Sequence, residues 1–271
     1  MTNPVEDITS GVPIRAWDGP DLSVAEACYA PGACLVPHAH ELSYVSLVLR
    51  GAGEERVGRD YALARSSSVV VMPTGVEHTN RIGPGGLRCL VVALKSSFLS
   101  ELLPARGRPD RWRWFHGGPV ARLMLRAYRE CLLADEMSPC GLCENLLELF
   151  DAIAGERDET TGPRPRCVAA AVEWLRARGT HGAPLGELAA ELGKDPAYLA
   201  RAFRRRMGCT MSEYRRRVRA REAADLLAST DAPLTHVALS AGFADQSHLC
   251  RVFKAETGLT PHAYRLLAGK R

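Results

Sequence analysis

Apolar side chains in the second half of the chain recur at helical spacing, and the pattern occurs twice. Leu199, Ala202 and Phe203 share one face of a predicted helix, and Leu249, Val252 and Phe253 share another. Asp195 and Asp245 stand where N-caps belong, and Pro196 suits a first helical position. Gly208 and Gly258 suit the left-handed residue that closes a helix. Shorter amphipathic stretches precede both, "PLGELAAELG" at 184–193 and "PLTHVALSAGF" at 233–243. Each unit therefore predicts a short helix, a tight turn and a second helix, the helix-turn-helix arrangement.

The two units are copies of one another. "DPAYLARAFRRRMGCTMSEYR" (195–215) and "DQSHLCRVFKAETGLTPHAYR" (245–265) agree at eight positions: Asp195/Asp245, Leu199/Leu249, Arg201/Arg251, Phe203/Phe253, Gly208/Gly258, Thr210/Thr260, Tyr214/Tyr264 and Arg215/Arg265. Unrelated segments of this length would share about one. Between them, "TMSEYRRRVRAREAADLLAST" (210–230) reads as a long helix opened by a Thr210–Glu213 capping box. "CVAAAVEWLRARGT" (167–180) predicts a further helix ahead of the first unit. The DNA major groove repeats every ~34 Å, so two second helices on one spacer can enter neighbouring grooves from the same side.

The first half has a different rhythm. "YVSLVLRG", "YALARSSSVVVMP" and "LRCLVVAL" are short Val- and Leu-rich runs bounded by Gly, Pro or Asp, the signature of strands, and "GPGG" (83–86) predicts a turn. Several such strands suggest a small barrel or jelly roll. Strand alternation puts Cys34, Val36, His38, His40, Leu42 and Tyr44 on one, inward face. "PVARLMLRAYRECLLADE" (119–136) and "CGLCENLLELFDAIAG" (140–155) predict two amphipathic helices. Trp112 and Trp114, in "RWRWFHGG", are expected in a surface loop or between strands and helices. "GERDETTGPRPR" (155–166) is polar and proline-containing, as a linker is.

Charge separates the halves. From Arg164 onward the chain holds 19 Lys and Arg against 10 Asp and Glu; the remainder holds 16 against 21. A basic helical half behind a mildly acidic β half predicts a polyanionic partner for the former, double-stranded DNA. Arg204, Arg205, Arg206, Arg215, Arg216, Arg217, Arg219 and Arg221 crowd the first unit and suit phosphate contacts or a solvated face. "MTNPVEDITSGVP" lacks the basic start and apolar run of a secretory signal, and no apolar run reaches membrane-span length. The nine cysteines fit reduced thiols, and a cytoplasmic location is expected.

"GFADQSHLCRVFKAETGLTPHAYR" (242–265) resembles the AraC/XylS family of bacterial transcription regulators: a Gly-Phe entry, a Ser-x-Leu-x-Arg-x-Phe helix, then Gly-x-Thr-Pro-x-x-Tyr-Arg. The resemblance covers roughly 167–271 and implies an all-α domain with two helix-turn-helix motifs. It also implies RNA polymerase as a further partner, a small-molecule effector and a homodimer formed through the helices at 101–155. It places Ala197, Ala200, Arg201, Arg204, Arg205 and Arg215 at DNA in the first unit, and Gln246, Ser247, Cys250 and Arg251 in the second. Arginine reads guanine through two parallel bonds, so Arg201 and Arg251 are the expected base readers. Ala197 and Ala200 can touch only a thymine methyl.

Residues 1–100 resemble the cupin fold. Gly32, His38, His40 and Gly51 match its first motif in spacing; Pro73, Gly75 and His78 match its second. The resemblance implies a site built from His38, His40 and His78, with Tyr44 where metal-binding cupins have glutamate and Ile82 where they have asparagine. Three imidazoles can hold Zn²⁺, Fe²⁺ or Ni²⁺, or line an effector pocket without metal. Cys140 and Cys143 form a lone C-x-x-C, either a redox or metal switch or ordinary helix thiols. The expected class is thus α+β and multidomain: a cupin-like β-barrel (1–100), a helical hairpin (101–155), a linker (156–166) and a DNA-binding domain (167–271). The leading function is a transcription regulator controlled by an effector in the barrel. A metal-dependent cupin enzyme fused to a DNA-binding module, and a constitutive regulator whose barrel only dimerises, are the alternatives.

Overall fold

The computed structural model of the chain describes residues 11–103, 108–133, 139–155, 165–178 and 185–269. Eight strands come first: β1 (Val12–Asp18), β2 (Leu22–Tyr29), β3 (Cys34–His38), β4 (Ser43–Val57), β5 (Asp60–Arg65), β6 (Ser68–Met72), β7 (His78–Leu94) and β8 (Arg113–His116). They pair antiparallel in the order β1-β2-β7-β4-β6-β8, with β3 also on β7 and β5 also on β4. Helices follow: α1 (Gly118–Leu133), α2 (Pro139–Gly155), α3 (Arg166–Arg178), α4 (Leu185–Glu191), α5 (Pro196–Met207), α6 (Met211–Ser229), α7 (Leu234–Ser240), α8 (Gln246–Thr257) and α9 (Pro261–Ala268). The β-first, α-second architecture is the expected one. Two strands, β1 and β2, precede the runs read as strands. β8 extends the sheet past residue 100, where its end was expected. The expected linker lies almost wholly outside the described residues.

Gly83–Gly86 does not break the chain into two strands as its composition predicts. It lies inside β7, at the point where that strand changes partners. Residues 78–81 pair with β3 and the far end of β4, and residues 87–94 pair with β2 and the near end of β4. The β4–β7 ladder slips between Val48 and Arg50 and again between Gly51 and Gly53. Such bulges bend the sheet over itself. Gly51 (φ +91°) packs so closely on the facing strand that a Cβ there would sit 2.0 Å from the Gly86 carbonyl oxygen. No other residue fits this corner.

Along β4 the side chains alternate between two cores. Tyr44 and Val48 join Val70, Met72, Val91, Trp112 and Trp114 inside the fold of the sheet. Val45, Leu47 and Leu49 face the other way, into a larger core completed by α1, α2 and residues from the second half of α6 through α9. A third core holds α3, α4, α5 and the first half of α6, with Phe203 and Tyr214 in edge contact 5.6 Å apart. The sheet and the second helix-turn-helix unit therefore share one interior, and the first unit has its own.

Polar contacts follow the same division. The buried Tyr264 hydroxyl of α9 donates to the Leu49 carbonyl at the β4 bulge, 3.2 Å away. The Ser66 amide donates to Asp225 of α6 at 3.2 Å, Arg88 of β7 to the Gly269 carbonyl at 3.1 Å, and Arg122 of α1 to the Ala255 carbonyl of α8 at 2.8 Å.

Candidate functional site

Each second helix of the repeat begins and ends as its sequence predicts. Asp195 accepts from the Tyr198 amide at 2.8 Å and Asp245 from the His248 amide at 2.7 Å. Gly208 (φ +72°) and Gly258 (φ +77°) close α5 and α8 in the left-handed conformation. The Thr210–Glu213 capping box opens α6, and Thr210 with its backbone and hydroxyl holds the Glu213 carboxylate below the usual range.

The face of α5 turned away from the core carries Ala197, Arg201, Arg204 and Arg205, all exposed. Ala200 is half-buried against the first unit's core. On α8, Gln246, Ser247 and Arg251 are exposed and Cys250 is half-buried. Among the described residues, no carboxylate is bonded to Arg201 or Arg251, so both guanidinium groups stand open to a ligand. The arginines of α6 differ from those of α5. Arg215 is half-buried, Arg216 pairs with Glu256 at 3.6 Å, Arg217 lies along Gly117 and Gly118, and Arg221 is buried. Arg221, buried on α6 between the two cores, is the one of these arginines turned away from solvent; Arg219, like Arg215 and Arg217, is half-buried, and Arg216 is exposed.

The second candidate site lies within the folded sheet. His38 ends β3, His40 follows it, and His78 opens β7 directly opposite His38. The His38 and His78 rings stand 4.3 Å apart, and each is about 5 Å from His40 (5.1 and 5.2 Å). One ligand nitrogen from each lies within 4.8 Å of the others. His38 Nδ1–H donates to the Val36 carbonyl at 2.8 Å, and His78 Nδ1–H to the Val76 carbonyl at 3.0 Å. A carbonyl can only accept, so the proton sits on Nδ1 and the Nε2 lone pairs are left as acceptors. Tyr44 donates a long bond, 3.4 Å, to His78 Nε2. Burial pushes the His78 pKa down, and the Val76 carbonyl partly offsets it. The same walls, with Ser46, Asn80, Cys89 and Trp114, line a cavity of about 50 Å³ that is partly open to solvent. That is room for about three to five waters, or an ion with part of its shell.

Strand parity does not run straight through this segment. Cys34 and Val36 are exposed, and Leu35 instead lines the cavity beside His38. The β3–β7 register slips between Leu35 and His38, which changes the phase and overturns the inward assignment of Cys34 and Val36.

The floor of the cavity was not foreseen. Glu55 of β4 is buried and accepts from Trp112 Nε1 (2.5 Å), Trp114 Nε1 (3.0 Å) and Asn80 Nδ2 (3.1 Å). Burial pushes its pKa up, and the three donors pull it part of the way back. Trp112 and Trp114 are interior residues that hold this carboxylate, not surface-loop residues. Their i, i+2 spacing between arginines is a strand signal, and it could have placed both rings on one face. Cys143 is half-buried on α2; the Cys140 side chain, and with it the C-x-x-C reading, lies outside the described residues.

No helix among the described residues is long and apolar enough to cross a membrane. Residues 188–266 match a helix-turn-helix domain family. The chain is 34% identical over 93 residues to the HTH-type transcriptional activator AarP of Providencia stuartii, covering 34% of this chain and 69% of that one. It is 32% identical over 96 residues to the probable transcription factor PqrA of Proteus vulgaris, 35% and 79% of the two chains. A more distant match, 24% over 263 residues, spans 90% of this chain and 92% of the HTH-type transcriptional activator RhaS of Escherichia fergusonii. These relatives are transcription factors and not enzymes, and the family match at 188–266 falls where the repeat presents two capped, arginine-bearing helices. The chain belongs to the AraC/XylS family of DNA-binding transcription regulators.

Proposed function

We propose that the folded sheet is a cupin-like sensor whose cavity takes a small effector, and that occupancy is transmitted to DNA binding. One observation carries this: β4 presents Tyr44, Ser46 and Glu55 to the cavity, and Val45, Leu47 and Leu49 to the core shared with α6, α8 and α9. A ligand that shifts β4 therefore acts on the second reading unit without an intermediary.

The cavity chemistry narrows the effector. Its inward atoms are mostly acceptors: imidazole nitrogens, the Glu55 carboxylate and the Tyr44 oxygen. They suit a cation or a ligand rich in hydrogen-bond donors. A divalent Zn²⁺, Fe²⁺ or Ni²⁺ fits His38, His40 and His78, because two of the three rings are already oriented by backbone carbonyls, the usual outer support of a metal-binding histidine. Bound there, an ion would polarise whatever ligand completed its shell. The protein's own part is to hold the imidazoles of His38 and His78 in the right tautomer. Regulation of transcription further implies contact with RNA polymerase, and α1 and α2 are the proposed homodimer contact.

The test uses the full-length protein. Zn²⁺, Ni²⁺, Fe²⁺ and small donor-bearing organic molecules are screened by thermal shift, and hits are tested for an effect on operator affinity. His38→Ala and His78→Ala should each abolish the shift and the response while operator binding persists. A response that survives both substitutions refutes the sensor assignment. DNA binding that no ligand alters supports the constitutive alternative.

A further inference from the structure

The two copies differ at thirteen of twenty-one positions, and one of these differences leaves a large exposed side chain on a reading helix. Tyr198 of α5 and His248 of α8 are equivalent, each donating its amide to the N-cap aspartate three residues earlier. Their side chains behave differently. His248 turns back on its own turn: its ring meets Phe243 edge-on at 5.4 Å, and its Nδ1 accepts from the Ala244 amide at 3.4 Å. Tyr198 is 46% exposed. The cause is legible in the sequence: Gly193 and Gly242 both close their helices at positive φ, the Lys194 and Phe243 amides each bond back five residues, and the residue that matches Phe243 is therefore the exposed Lys194. The aromatic partner that retires His248 is missing, so the Tyr198 ring stands out from the helix.

Its neighbours give that ring a use. Tyr198, Arg201 and Arg205 follow at i, i+3 and i+7, on one exposed stripe. Ala197 and Ala200 beside it are small and let the helix approach closely. A tyrosine face suits the C5-methyl of thymine, which side chains read by apolar contact.

We propose that Tyr198 is a specificity-determining residue of the first reading helix, packing its ring on a thymine methyl next to the base pair read by Arg201. The first unit thus reads a guanine and a neighbouring thymine through one arginine and one aromatic ring. The second unit reads through Arg251, Gln246 and Ser247. The proposal rests on α5 being a DNA-reading helix.

Selection of operators from a randomised pool, with wild type, Tyr198→Ala, Tyr198→Phe and Arg201→Ala, locates the base pairs concerned. Tyr198→Ala should lose thymine preference at one pair adjacent to the pair that Arg201→Ala relaxes, by about five-fold, the low end for one mismatched pair. Tyr198→Phe should keep it. Replacing that thymidine with deoxyuridine removes only the methyl group. It should weaken wild type by about five-fold and leave Tyr198→Ala unaffected. Far-ultraviolet circular dichroism checks that the exposed substitution leaves the fold intact. Preferences unchanged at every position in Tyr198→Ala, or equal loss on deoxyuridine in both proteins, overturns the proposal. So does a uniform loss across all sequences, which would make Tyr198 a backbone contact. If Arg201→Ala also changes nothing, the reading role of α5 itself is wrong; if only Arg201→Ala relaxes specificity, the fault lies with Tyr198 alone.

Discussion

Removing one oxygen atom tests the junction between the sheet and the second helix-turn-helix unit. Tyr264 is fully buried, its ring meets Phe253 edge-on at 5.3 Å, and its hydroxyl donates to the Leu49 carbonyl. Leu49 sits in the β4 bulge, where the β4–β7 register slips, and its carbonyl accepts this hydroxyl at 3.2 Å. Tyr264→Phe keeps the ring and deletes the bond. A net hydrogen bond contributes about 0.5–1.5 kcal/mol, and a stranded buried carbonyl costs about 1–3 kcal/mol. The nearby Ser67 hydroxyl, 3.4 Å from the Tyr264 oxygen, can turn toward the gap and recover part of this. The expected loss is therefore about 1–2 kcal/mol. For a cooperative unit of this size that is about 2–8 °C of melting temperature. Differential scanning fluorimetry of the full chain measures it. A shift below 1 °C, with wild-type cooperativity, refutes docking through this contact.

Other expectations are as specific. Arg204→Ala and Arg205→Ala should weaken binding to all DNA sequences alike and lower the salt slope by about one unit each, measured by fluorescence anisotropy between 50 and 200 mM salt; an unchanged slope returns both to a solvated face. Arg251→Ala should relax preference at one base pair by about 1–3 kcal/mol in operator selections, with Gln246 and Ser247 keeping partial readout; intact preferences would make the arginine structural. Glu55→Gln should flatten part of the pH dependence of stability. Burial raises the folded pKa of Glu55 above its unfolded value near 4.5, so the folded state holds the proton longer. The wild type then loses stability as pH climbs from about 4.5 through the folded pKa, and the glutamine variant does not. Parallel urea-unfolding series across that window decide it, and identical curves would remove Glu55 as the source.

The repeat was legible because its signals are local. A cap, an apolar stripe and a closing glycine each act within one turn of helix, and Asp195, Phe203 and Gly208 meant the same thing twice. The three histidines were also found, since the motif spacing brings His38, His40 and His78 together whatever their phase. The strand phase around Cys34 and Val36 was lost because a single register slip reverses every side chain beyond it, and nothing local marks the slip. Gly83–Gly86 misled for a related reason: glycines serve a turn and a sheet corner equally well, and only the partner at Gly51 tells them apart. Glu55 was invisible because its meaning comes from Trp112 and Trp114, nearly sixty residues away in the chain. The burial of Arg221 was missed because two cores claim α6 from opposite sides.

That division of α6 has a geometric consequence for the operator. The changeover between cores falls at Arg219, between Val218, which belongs with the first unit, and Ala220, which belongs with the sheet and the second. A single stretch of helix thus sets the phase between the two reading helices. One residue inserted at that point would advance the second by about 1.5 Å and turn it by about 100° relative to the first. DNA completes a turn in about 10.5 base pairs, or about 34° per pair, so this misalignment equals about three base pairs of winding. Helix α6 is a protractor as well as a spacer, and the separation of the two half-sites is written in its length.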